Sequence, residues 1–164
     1  MATEAGKAGA AELWNQLLAF FENASIKYES IYAPNEEGDY LLRTRFRGDD
    51  LPMEFLIGID AGRQVLFLKS MELVKVTEDK LPTVAMAVCA MNDKIFDGSY
   101  ALSLKRGTVM FTYTIPFAGS LIHESVLMQM MAICNQTVDA FNDKLFALVN
   151  GMVDLDGFLK MINY

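Results

Sequence analysis

The stretch that decides the fold runs from Ser99 to Gly151. Its first part, residues 99–116, reads SYALSLKRGTVMFTYTIP, in which apolar and polar side chains alternate on both sides of Arg106-Gly107. A period of two is typical of strands that bury one face. Glycine adopts the positive φ that short hairpin turns need, and proline has no N–H to donate to a ladder. The pattern predicts an antiparallel hairpin that turns at Arg106-Gly107 and ends at Pro116.

The second part of the stretch changes to a helical period. Apolar residues recur at intervals of four and three, at Leu127, Met131, Cys134, Val138, Phe141, Leu145 and Leu148. This spacing keeps them on one face of a helix. The flanking positions carry Met, Asn and Thr rather than opposed charges, which favours a helix in a globular core over a coiled coil. Gly151 is placed to follow the helix as its C′ residue.

The same periodicities predict the other elements. Helices are expected over 12–23, within 78–95 and over 154–162, and strands over 40–47, 53–60 and 64–69, after a β-prone segment that begins at Ile26. We therefore expect an α+β fold in the order α-β-β-β-α-β-β-α-α, with an antiparallel sheet of about five strands and helices packed on one face. The helix within 78–95 is apolar almost all round, so it is expected to be covered on more than one side.

The domain organisation follows from the same pattern. Residues 1–10 are rich in Ala and Gly and are expected to be a flexible N-terminus. Residues 11–151 are expected to form a single α+β domain, and residues 152–164 a short C-terminal helix.

Composition excludes several classes of function. The net charge of −7, with no dense cluster of Lys and Arg, disfavours partnership with nucleic acid or an anionic membrane. No apolar run is long enough to span a bilayer. Cys89 and Cys134 fall on apolar helical faces, and both are expected to be buried and unpaired, as in a reducing cytoplasm.

The residues that could carry chemistry are few. His123 is the single histidine, and the serines near it, Ser120 and Ser125, are its immediate neighbours where a helix begins, which indicates capping or solvent roles. The glycines form no phosphate-binding pattern, and the carboxylates lack the spacing of a calcium loop. We expect no enzyme activity, no metal and no cofactor.

Two surface features suggest binding instead. Arg43, Arg45 and Arg47 lie on one face of a predicted strand, where they either pair with Glu54 and Asp60 on the next strand or form a docking stripe for an acidic or extended partner segment. Met128 and Met130 lie beside the stripe of the long helix. They either fill the core or form a soft apolar surface for a partner or a second copy.

The chain also resembles a known family. The residues that carry the resemblance are 84–92 (VAMAVCAMN), 96–107, 108–116 and 139–145 (DAFNDKL). They are similar to the YbjN-like family, a group of proposed bacterial sensory transduction regulators that shares the fold of type III secretion chaperones. The resemblance covers roughly residues 12–151. It implies a small acidic cytoplasmic protein, commonly a homodimer, that acts through protein contacts, and it carries over no site residues.

Two hypotheses follow for function. The first is a non-enzymatic homodimer that binds another polypeptide as a chaperone or regulator. The alternative is a small-ligand binder or enzyme with a pocket between sheet and helices, in which Arg43, Arg45 or Arg63 would hold an anion near Tyr113 or His123.

Overall fold

The fold is α+β, as expected. The computed structural model describes residues 2–120 and 122–164. In these residues the elements are α1 (Glu4–Asn23), β1 (Tyr28–Tyr32), β2 (Tyr40–Arg47), β3 (Pro52–Asp60), β4 (Val65–Ser70), β5 (Val74–Lys75), α2 (Leu81–Lys94), β6 (Ser99–Ser103), β7 (Thr108–Pro116), α3 (Glu124–Val149) and α4 (Leu155–Met161), with a 3-10 turn at Glu78–Lys80 before α2.

The strands form one antiparallel sheet of seven strands. β1, β2, β3 and β4 follow one another as a meander, and β4 pairs with residues 112–116 of β7. β5 pairs with β7 on the same side as β4, whereas β6 pairs with β7 on the opposite side. One edge of the sheet is therefore β1 and the other is β6.

One face of the sheet forms the core, which we call the inner face. Its fully buried side chains include Leu42, Phe55, Ile57, Ile59, Leu66, Leu68, Val109 and Phe111. α3 crosses this face against β3, β4, β5 and β7, and α1 packs beside α3. Every apolar residue of the predicted α3 stripe is buried, which confirms the core helix.

The predicted hairpin and helix end are also confirmed. Ser103 pairs with Thr108, and Gly107 has a φ of +62° at the turn. Gly151 follows α3 with a φ of +71° and donates its N–H to the carbonyl of Leu148, as a C′ residue does.

α1 begins earlier than the sequence predicts. It starts at Glu4 rather than Glu12, so the segment expected to be flexible contributes seven helical residues. The hydroxyl of Thr3 accepts from the N–H of Gly6 at 3.1 Å, which caps the helix. Ala10 is fully buried, and a Cβ at Gly6 would overlap the carbonyl oxygen of Ala61. The small residues that looked unstructured thus allow α1 to approach the β3–β4 turn closely.

The sheet has two strands more than the five expected. β1 is an edge strand whose residues are mostly exposed, so the alternation of apolar and polar residues is lost. β5 is only two residues long. Neither strand buries enough side chains to leave a signal of period two in the sequence.

α2 is covered where it faces β6 and α4, and its remaining side is open. It packs on β6, and α4 fills the space between α2 and α3 with the fully buried Phe158. The opposite side of α2 is exposed, including Cys89. The contacts with β6 and α4 agree with the expectation that α2 is covered on more than one side. The expectation that both cysteines are buried is wrong, because Cys89 lies on the open side of α2 and only Cys134 lies on a helix face that meets the sheet.

The β6 edge is closed by a side chain of α2. The amide of Asn92 donates to the carbonyl of Tyr100 at 3.0 Å and accepts from the Tyr100 N–H at 2.7 Å. The side-chain amide of Asn92 thus makes the two hydrogen bonds to Tyr100 that a further strand would otherwise make. This protects the edge from pairing with another chain.

Replacing Asn92 with Ala should therefore destabilise the fold. The substitution leaves the Tyr100 N–H and carbonyl without these partners, and we expect a loss of about 1–3 kcal/mol in the free energy of unfolding, measured by urea denaturation. Asp93→Ala, at the exposed neighbouring position, should cost less than about 0.5 kcal/mol. Equal losses for the two variants would contradict this role for Asn92.

Candidate protein-interaction surface

The candidate site lies on the face of the sheet opposite the core, which we call the outer face. On β2 the side chains of Tyr40, Leu42 and Thr44 point inward and are buried, so the residues between them point outward. Arg43, Arg45 and Arg47 therefore share the outer face, as the sequence predicts. Alternate residues of a strand lie about 6.5–7 Å apart, which is also the spacing of alternate side chains in an extended peptide.

Two of the arginines form ion pairs with a neighbouring strand. Arg45 lies directly opposite Glu54, and its Nε donates to Oε2 of Glu54 at 2.6 Å. The Nε of Arg43 is 3.5 Å from Oε1 of the same carboxylate, and its guanidinium is 3.8 Å from Glu29 on β1. The hydrogen bond and the charge of Glu54 raise the pKa of Arg45.

The third arginine differs from the other two. Arg47 lies opposite Pro52, and the ion pairs found among residues 2–120 and 122–164 do not include it. Asp60, which the sequence suggested as a second partner for the arginines, is at the far end of β3. There it accepts from the N–H of Arg63 at 2.7 Å. Arg47 instead lines a cavity at the end of β2 together with Asp49 and Asp50, so charges of both signs lie there.

Apolar side chains lie on the outer face beside the arginines. Leu41, Gly58 and Phe67 are in register across three strands, and Leu56 is opposite Arg43. A Cβ at Gly58 would overlap the Phe67 ring, so this ring lies directly over the glycine. Leu41, Leu56 and Phe67 are half-buried even though no helix packs on this face in the described part of the chain.

These three apolar residues were not predicted as site residues. The sequence did hold the signal, because Leu41 alternates with the inward residues in the same way as the arginines, and Leu56 does so on the next strand. Apolar residues on a strand are ordinarily assigned to the core. Which face of the sheet stays open depends on where the helices pack, and the strand pattern alone does not show this.

The edge next to the arginines is also accessible. β1 pairs with β2 on one side, and its residues Ile31 and Tyr32 are among the exposed large apolar side chains. A cavity of about 320 Å³ lies where β1 and β2 meet, lined by Lys27, Tyr28, Glu29, Arg43, Thr44 and Arg45. The arginines therefore border both the outer face and an edge strand.

The two methionines proposed from the sequence are in different environments. Met128 is 57% exposed on α3, whereas Met130 is 1% exposed and belongs to the core. Met130 lies on the side of α3 that packs inward, next to the predicted stripe. It is therefore not available as a surface residue, and Met128 alone stays in the proposed set.

The residues of the ligand-binding hypothesis do not converge. Arg43 and Arg45 line the cavity at β1 and β2, Arg63 lines another cavity with Asp39 and Asp60, and His123 lines a third between α1 and α3. Tyr113 lies on β7, in none of these three cavities. His123 is the N-cap residue of α3, and its side chain makes no capping hydrogen bond.

The buried thiol of Cys134 is mostly protonated at neutral pH. Burial, together with the nearby charge of Asp97, raises the pKa of Cys134 to about 12, so the thiolate is scarce at neutral pH. In residues 2–120 and 122–164, no three His, Cys, Asp or Glu side chains come together as metal ligands. No helix in that part of the chain has the length and apolar character needed to cross a membrane.

Comparison with known proteins identifies the fold of this chain. No protein-family model and no curated protein matches this sequence. The matches among solved structures show a fold that this chain shares with a chaperone–effector complex and with YbjN, and they confirm the fold that the resemblance implies.

Two solved structures show this similarity of fold. The first is the HopA1–SchA chaperone–effector complex, with a TM-score of 0.51 and 14% identity over 79% of this chain and 92% of that chain. The second is the crystal structure of YbjN, a proposed transcription regulator from E. coli, with a TM-score of 0.56 and 10% identity over 79% of this chain and 91% of that chain. Neither neighbour is described as an enzyme.

The burial of Cys134 predicts a thiol that is protected by the fold. In a Cys89→Ser variant, the remaining thiol should not react with Ellman's reagent in the native state, and it should react fully in concentrated urea. Absorbance at mildly alkaline pH measures both states. A native reaction as fast as that of free cysteine would contradict the buried position.

Proposed function

We propose that this protein is a non-enzymatic binding module for another polypeptide, either chaperone-like or regulatory, which acts as a homodimer in the cytoplasm. The observation that carries the proposal is the outer face of the sheet. It combines the arginines of β2 with half-buried apolar side chains, and in residues 2–120 and 122–164 no helix layer covers it. The fold shared with a chaperone–effector complex supports the proposal.

The chemistry of the surface favours an extended segment with acidic residues. Arg43, Arg45 and Arg47 recur at every second position, so they match alternate carboxylates of a strand-like peptide. Leu41, Leu56 and Phe67 would receive apolar side chains from the same segment. In a chain of net charge −7, this stripe is a local positive region that steers such a partner.

The existing ion pairs do not prevent docking. Arg45 has a side chain 74% exposed, and exposed ion pairs contribute little to stability, so an incoming carboxylate can replace Glu54 at little cost. Glu54 holds the two guanidinium groups in place in the free protein. The same carboxylate also repels acidic residues that do not align with the arginines.

Charge reversal on β2 tests the proposal. The double variant Arg43→Glu, Arg45→Glu should lose partner capture, because like charges would then face an acidic segment. The matched control is Arg63→Glu, Arg106→Glu, which changes the net charge equally at exposed positions in two turns. Quantitative mass spectrometry of proteins that co-purify from the native host measures capture, and circular dichroism verifies folding.

We expect partners recovered with the wild type to be depleted at least tenfold with the β2 variant and retained with the control. Equal recovery with both variants would show that the arginines are only a solvated face. Equal depletion with both would show that recovery depends on net charge alone and would contradict a specific stripe.

A further inference from the structure

The cavity where β1 meets β2 gathers three cationic side chains. Lys27, Arg43 and Arg45 all line this space of about 320 Å³. Tyr28, between Lys27 and Glu29, turns inward and packs against the core. Because successive side chains of a strand point to opposite faces, Lys27 and Glu29 project on the outer side beside the arginines. Lys27 thus adds a cation to the site that the stripe on β2 does not include.

The ion pairs at this cavity leave several donors unused. Glu54 accepts from the Nε of Arg45 at 2.6 Å and lies 3.5 Å from the Nε of Arg43. The Nε of Arg43 is buried and has no hydrogen-bond partner in residues 2–120 and 122–164. In the same residues, neither the terminal nitrogens of Arg45 nor the ammonium group of Lys27 makes a hydrogen bond. A buried donor without a partner is uncommon, and it indicates a site that an acceptor completes.

The charge at the cavity is positive. Lys27, Arg43 and Arg45 face the carboxylates of Glu29 and Glu54. The contact between Glu29 and Arg43 is long, at 3.8 Å, and the Glu29 side chain is 70% exposed, so this carboxylate can turn into water at little cost. Three cations then face one carboxylate, which leaves an excess of two positive charges.

A phosphate monoester matches this donor set better than a carboxylate does. At neutral pH it carries a charge of about −1.5 to −2 and three strong acceptor oxygens. A carboxylate carries one charge and two oxygens. The planar fork of a guanidinium group binds two phosphate oxygens together, and a lysine ammonium adds a compact point charge.

We propose that the cavity bordered by Lys27, Arg43 and Arg45 binds a phosphorylated serine or threonine of the partner segment. The inference rests on the proposed function, because it takes a segment on the outer face of the sheet as given and names the chemical group that the segment carries. Lys27 is the residue that distinguishes a phosphate from a carboxylate, since it supplies the third cationic group.

The surroundings of the cavity favour a phosphate that is carried by a polypeptide. Leu56 lies opposite Arg43, and Leu41 lies two residues along the same strand, so apolar residues that flank the phosphate find contacts on the outer face. A lipid headgroup would bring a chain of net charge −7 against an anionic bilayer, which repels it. A free phosphate ion would make no use of the leucines.

Retention of peptide libraries by the immobilised full-length chain tests the proposal. Three libraries of short peptides with randomised flanking residues carry phosphoserine, glutamate or serine at a fixed central position. The wild type should retain the phosphoserine library about tenfold more than the serine library and about threefold more than the glutamate library, because charge-assisted hydrogen bonds increase with the number of acceptor oxygens. Quantitative mass spectrometry of the eluted peptides measures retention.

Lys27→Gln separates phosphate recognition from the binding of acidic segments in general. The variant should lose the preference for phosphoserine over glutamate and should keep retention of the glutamate library within about twofold, because Arg43 and Arg45 remain. The matched control is Lys105→Gln, which removes one positive charge at an exposed position in the β6–β7 turn and should keep the full preference. Circular dichroism and the fluorescence of the buried Trp14 verify folding.

The outcomes separate this inference from the proposed function. Equal retention of the phosphoserine and glutamate libraries by the wild type, a preference that survives Lys27→Gln, or an equal loss in both lysine variants would overturn the phosphate site and leave the proposed function intact. Retention of neither acidic library above the serine library would contradict both.

Two further probes check the source of the phosphate. Inorganic phosphate that competes as tightly as a phosphoserine peptide would assign the site to a free anion. Binding to vesicles that contain phosphatidic acid, without retention of the phosphoserine library, would assign it to a lipid headgroup. Either result would overturn the assignment to a polypeptide.

Discussion

The packing of α3 across the inner face of the sheet is the contact on which the rest of the structure depends. Its buried stripe lies against β3, β4, β5 and β7 and joins the meander of the first half of the chain to the hairpin of the second. α1 and α4 both pack against α3. Because the helices gather on one side, the opposite face of the sheet is left without a helix layer in the described residues.

This one-sided packing separates three surfaces. The outer face presents the arginines of β2 with half-buried apolar residues, and β1 provides an accessible edge next to it. The other edge is closed where Asn92 pairs with the backbone of Tyr100. The apolar side of α2 lies beyond that closed edge.

Much of this could be predicted from the sequence. The α3 stripe, the turn at Gly107 and the pairing of Arg45 with Glu54 all follow from local periodicity, because each depends on residues close in sequence or on a simple meander register. The early start of α1 could not be predicted, since it depends on the distant carbonyl of Ala61. The exposure of Cys89 likewise depends on where α4 and the sheet leave room, and Met130 is buried by contacts beyond its own helix.

Photo-crosslinking from within the outer face of the sheet tests most directly whether that face binds another polypeptide. A benzoylphenylalanine at position 45, introduced in the native host, should form discrete covalent adducts with a partner protein, whereas the same group at position 106, in the exposed turn of the hairpin, should not. The absence of adducts from position 45, or the same adducts from both positions, would contradict the account.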